Sequence, residues 1–139
     1  MTEPQKPSDG QIILYRTSDG AVRVEVIYQA DTFWLNQKHL AELFAVEIPT
    51  INYHLKEIYA SGELTAESTI RKFLIVQREG KRDVAREIDF YNLDATISVG
   101  YRVNSAQATQ FRIWANKAIQ GLAATYTYRN ASSKQRCPK

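Results

Sequence analysis

The sequence predicts an α+β domain, and three observations together carry that expectation. Residues 12–29 alternate as a β-hairpin, residues 36–64 read as two short amphipathic helices joined by a tight turn, and residues 69–91 read as a second, basic hairpin. Two further helices follow, giving the order ββ, αα, ββ, αα. A chain of 139 residues buries one core and falls short of two, so a single domain over residues 11–123 is expected.

Residues 1–10 contain two prolines and end in Ser-Asp-Gly, which marks them as a disordered lead-in. In the first hairpin the turn is Ser18-Asp19-Gly20, after which Val22, Val24, Val26 and Tyr28 share one face. Residues 32–35 add a short third strand that delivers the chain into the helix pair. Asn36 is a polar cap for the first of these helices, about two turns long, with Leu40, Leu43 and Phe44 on one face beside the small Ala41.

The linker Ala45-Val46-Glu47 has no room for a strand, and Pro49 suits the first turn of a helix because its missing N–H would have had no partner there. Ile51, Leu55, Ile58 and Tyr59 follow the helical stripe, and Gly62 closes the helix in the left-handed conformation. Two helices joined this tightly cross steeply, as in a helix-turn-helix. The positions of Ala41, Val46, Ile51, His54 and Leu55, with the exit Ser61-Gly62-Glu63-Leu64, resemble the winged-helix variant, and the fold expected is winged-helix-like. An ordinary helical hairpin also fits that pattern.

The second hairpin turns through residues 78–83, centred on glycine, and stands where a wing would. It reads either as a solvated hairpin of mixed charge or as a phosphate-gripping wing. Asn92 caps a helix whose Leu93, Thr96, Ile97, Gly100 and Tyr101 share a face, and Asn104-Ser105 separates it from a longer one. In that last helix Ala108, Phe111, Trp114, Ala115, Ala118 and Leu122 form the buried stripe, and the aromatics are assigned to packing rather than to base stacking. Residues 124–139 read as a flexible basic tail.

Hydrophobic residues at 44% and charged residues at 24% are ordinary for a globular protein, which argues against disorder. No apolar run reaches the roughly 20 residues of a membrane span. The single Cys137 cannot form an internal disulfide, and a cytoplasmic protein with no membrane contact is expected. The net charge of +3 hides an asymmetry: residues 1–67 hold five basic side chains against ten acidic ones, and residues 68–139 hold thirteen against five. A polyanion is drawn to the second half.

Catalytic signals are thin. His39 and Glu42 have the spacing of two ligands on a helix, but no other His or Cys is near in sequence to complete a site. Ser98-Val99-Gly100 lacks the glycine two before the serine that a nucleophile elbow requires, and the six glycines assemble no phosphate loop. Neither an enzyme nor a metal or other cofactor is expected.

From about residue 13 to 118 the sequence resembles the RhuM family of bacterial virulence islands and other mobile elements. The residues that carry the resemblance include Trp34-Leu35, Ala41 to Phe44, Gly62-Glu63-Leu64 and Lys72-Phe73, and above all three blocks: Tyr91-Asn92-Leu93-Asp94, Ile97-Ser98-Val99-Gly100-Tyr101-Arg102-Val103, and Gln110-Phe111-Arg112-Ile113-Trp114-Ala115. A weaker similarity, strongest at Phe111-Arg112 and Trp114, links the chain to the Bro amino-terminal domains of antirepressor-like proteins, which implies DNA binding. Family members carry glycine where Ala45 stands and a polar or basic residue near Ile48-Pro49, and they continue beyond the last helix. A truncated member, or one with a shifted reading frame at its end, is therefore expected.

On this reading Thr50, Asn52, Tyr53 and Lys56 face outward from the second helix toward base edges, while Gln37 and Lys38 meet phosphate at the start of the first. Arg71, Arg78, Lys81 and Arg82 of the hairpin, with Arg112 and Lys117 of the last helix, supply positive charge. Residues 36–64 alone carry two lysines against four glutamates, and Glu47 would repel phosphate at short range. The function expected is a transcriptional regulator or antirepressor that binds duplex DNA, with a homodimer or another protein as the further partner. The rival is a protein-interaction module that keeps the helix pair as a scaffold.

Overall fold

The computed structural model describes residues 11–17 and 19–135, with side chains to residue 121. Three strands, β1 (Gln11–Arg16), β2 (Arg23–Gln29) and β3 (Thr32–Trp34), form an antiparallel meander in the order β1-β2-β3. Alternation of side chains sets its two faces. Tyr15, Val24, Val26 and Phe33 point inward and are buried, whereas Ile12, Leu14, Ile27 and Trp34 point outward.

Helix α1 (Gln37–Phe44) and helix α2 (Ile48–Ala60) follow, joined by three residues. A four-residue helix, α3 (Ala66–Thr69), which the sequence did not announce, leads into the hairpin of β4 (Ile70–Glu79) and β5 (Arg82–Tyr91). Helices α4 (Leu93–Val103) and α5 (Ser105–Gln135) complete the chain. The backbone of α5 thus runs through residues 124–135, which the sequence reading gave to a tail; the lead-in 1–10 and residues 136–139 lie outside the described residues.

The second hairpin differs from expectation at its tip. Its strands continue to Glu79 and from Arg82, leaving only Gly80-Lys81 to turn, and Gly80 takes φ +64° as the first position of such a turn requires. Its base is stitched to the meander: Leu35 and Tyr91 exchange two backbone hydrogen bonds of 2.9 and 2.8 Å. The outward faces of both sheets meet beside this bridge, where Ile27, Trp34, Phe73 and Phe90 form a small second core.

The main core lies on the inward face. Phe111 meets Tyr15 edge-on at 5.0 Å and Trp114 stacks on Phe33 at 5.1 Å, so both aromatics of α5 pack as the sequence indicated. In α4 the buried residues are Ala95, Thr96, Val99 and Gly100, while Tyr101 is exposed. Thr96 and Gly100 are buried as expected, but the face is rotated from the predicted one toward Ala95 and Val99, which leaves Tyr101 outside. A methyl placed on Gly100 would lie 2.6 Å from Phe44 and 2.7 Å from Ala108, so α1, α4 and α5 converge on its bare backbone.

Candidate nucleic-acid interface

The start of α1 is fixed by a reciprocal cap. Asn36 Oδ1 accepts the His39 backbone N–H at 2.8 Å, and His39 Nδ1 accepts the Asn36 N–H at 3.4 Å. Burial holds the His39 imidazole below its ordinary pKa of 6.5, so it is neutral near pH 7. Helix α1 ends through Ala45 in the left-handed region, φ 58° and ψ 48°, a conformation that costs a non-glycine residue about 1 kcal/mol. That bend turns the chain within three residues into α2, whose Ile51, Leu55 and Ile58 are buried.

The other side of α2 faces solvent. Tyr53 is 59% exposed, Lys56 is exposed and Thr50 is half-buried. Asn52, expected to be exposed, is half-buried and already bonded: Gln37 Nε2 donates to Asn52 Oδ1 and to the Tyr91 hydroxyl, both at 3.2 Å. These three side chains join α1, α2 and β5, which ties Gln37 and Asn52 to each other. Tyr91, absent from the expected site, is the residue that sequence reading missed. Its signals were its place at the end of a strand, just before the Asn92 cap, and its membership of the Tyr91-Asn92-Leu93-Asp94 block.

Charge on the hairpin is largely balanced internally. Arg86 grips Glu79 through two bonds of 2.6 and 2.7 Å and holds that carboxyl below its ordinary range, Lys72 meets Asp89 at 2.6 Å, and Arg78 meets Asp83 at 3.3 Å. Pairs this exposed are screened by water and contribute little to stability. Arg71 lies 4.7 Å from the centre of the Trp34 ring and donates to Gln29, so it packs against the meander. Among the described residues, Lys81 and Arg82 at the tip take part in no ion pair.

On α5, Arg112 donates to the Tyr101 hydroxyl of α4 at 3.1 Å, and Lys117 is exposed. Arg112 is thus tied to α4 rather than to α2. The structure brings Gln37 and Asn52 together with Tyr91 at the junction of α1, α2 and β5, and Lys38 lines a cavity beside it. It sets Lys81 and Arg82 apart at the hairpin tip. Between α2 and the hairpin lies an open cavity of about 430 Å³ whose lining includes Lys38, Ile48, Glu87 and Asp89. No helix among the described residues is long and apolar enough to cross a membrane.

The fold and this junction define a small α+β domain with two antiparallel sheets and five helices among the described residues. Residues 68–130 match the model of the virulence protein RhuM family, in agreement with the resemblance carried by the blocks from Tyr91 to Ala115. No curated protein and no solved structure matches it.

Proposed function

We propose that the chain is a DNA-binding domain of the transcriptional-regulator or antirepressor type, using α1 and α2 as a helix-turn-helix and the β4–β5 hairpin as a wing. The observation that carries this reading is the outer side of α2. A helix held by three buried aliphatic residues, and entered through a three-residue linker that bends at the left-handed Ala45, presents Tyr53 and Lys56 clear of the core. A helix so mounted fits the major groove, where Tyr and Lys reach base edges and phosphates. Lys38 beside it and Lys81-Arg82 at the hairpin tip supply phosphate contacts.

The test is fluorescence anisotropy with labelled duplex DNA of random sequence at low salt. Binding that Lys56→Ala and a Lys81→Ala/Arg82→Ala double variant each weaken about tenfold supports the reading. Binding indifferent to all three substitutions refutes the placement. One observation favours a protein partner instead: Ile48 and Val76 are large exposed apolar side chains, and the cavity lined by Ile48 also carries the carboxylates Glu87 and Asp89. On that reading Val76→Glu abolishes capture of the partner and leaves DNA affinity near zero throughout.

A further inference from the structure

The outward faces of the meander and the hairpin meet where Ile27 and Trp34 pack on Phe73 and Phe90, with Ile75 and Ile88 at the margin of that cluster. The wedge between them is a cavity of about 310 Å³. The apolar part of its lining is Ile12 and Ile27 from the meander and Ile75, Ile88 and Phe90 from the hairpin. Ile12 is 58% exposed, so this end of the wedge is unfilled by side chains of the described residues. The volume suits a single small ligand.

The polar part of the lining carries opposite charges. Glu25 and Lys38 both line the cavity, and neither makes an ion pair among the described residues. His39 lines it as well. Its Nδ1 already accepts the Asn36 N–H, which leaves the neutral ring with its proton on Nε2 as a donor.

An apolar pocket that also presents an unpaired carboxylate, an unpaired ammonium and a ring N–H matches a ligand with one charge of each sign next to a hydrocarbon side chain. We propose that this wedge binds a free α-amino acid with a branched or aromatic side chain, its ammonium on Glu25, its carboxylate on Lys38 and His39, and its side chain among the isoleucines. Each charged group of the ligand then finds a partner, and the apolar part leaves water. Amino-acid binding here does not rest on DNA binding, but the site shares Lys38 with the phosphate contacts given above, so it is tested in the absence of nucleic acid.

Isothermal titration calorimetry of the full chain without nucleic acid tests it, using L-leucine and L-phenylalanine as probes and N-acetyl-leucine and leucinamide as analogues lacking one charge. At least one amino acid binds at sub-millimolar to millimolar concentration, and each analogue binds about tenfold more weakly. Glu25→Gln, at an exposed position, lowers affinity for the amino acid about tenfold and leaves N-acetyl-leucine unchanged. Ile88→Trp, which fills the wedge, removes binding. Absence of heat for both amino acids at millimolar concentration overturns the proposal. So does binding to which Glu25→Gln makes no difference.

Discussion

Replacing Gly100 with alanine adds one methyl group at the point where three helices meet. Its carbon would lie 2.6 and 2.7 Å from two atoms of the Phe44 ring and 2.7 Å from the Ala108 methyl, about 1 Å inside ordinary contact. Neither neighbour yields easily: Phe44 is 1% exposed, and the Ala108 methyl is fixed to the α5 backbone. Forcing extra volume into such a site costs about 3–4 kcal/mol, and alanine returns about 1 kcal/mol through its higher helix propensity.

A net loss of about 2–3 kcal/mol is expected, which lowers the melting temperature by roughly 8–15 °C for a domain of this size. Urea denaturation followed by circular dichroism measures it. Phe44→Leu in the Gly100→Ala background should recover part of the loss, since it removes the ring that the methyl strikes. Gly100→Ala as stable as the parent chain, or more so, would refute the convergence of α1, α4 and α5 on this residue. The orientation of α1, and with it the bend into α2, would then need another cause.

Three further outcomes follow from the same contacts. Ala45→Gly relieves the left-handed backbone at the end of α1 and should raise stability by about 1 kcal/mol in the same urea assay. Asn52→Ala removes one of the two acceptors of the Gln37 amide and should cost about 1 kcal/mol, whereas Tyr53→Ala should cost less than about 0.5 kcal/mol; equal effects would contradict the difference in burial between them. Because burial lowers the His39 pKa, the unfolded chain binds the extra proton first, so stability falls as pH drops below 6.5 and levels off below the folded pKa. His39→Gln should flatten that part of a urea-midpoint against pH curve.

The sequence made the local elements legible where one physical rule dominated. Alternating valines exposed the first hairpin, Asn36 and Asn92 announced their helices as side-chain caps, and Gly62 and Gly80 marked backbone at positive φ. What periodicity could not show was the partner of each face. Tyr101 and Gly100 are neighbours in sequence, and only the close approach of Phe44 and Ala108 decides which of them turns inward.

The candidate interface was legible in the same uneven way. Tyr53 and Lys56 are exposed, as the stripe Ile51, Leu55 and Ile58 requires. The half-burial of Asn52 depends on Gln37, fifteen residues away, and on Tyr91, which no helical pattern could connect to it. The basic hairpin read as a source of free charge because its acids stand at scattered positions in the chain. Antiparallel register brings Asp89 opposite Lys72 and Asp83 opposite Arg78, leaving the tip as the place where positive charge is unpaired.

That restriction gives the DNA reading a quantitative form. If Lys38, Lys56, Lys81 and Arg82 make the phosphate contacts, about four counterions are displaced, and the logarithm of the association constant falls with the logarithm of salt with a slope of about −3.6. Anisotropy titrations of random duplex DNA at several salt concentrations from about 50 to 200 mM should then show affinity dropping roughly a hundredfold. A slope near zero, or no binding at the lowest salt, would contradict the account.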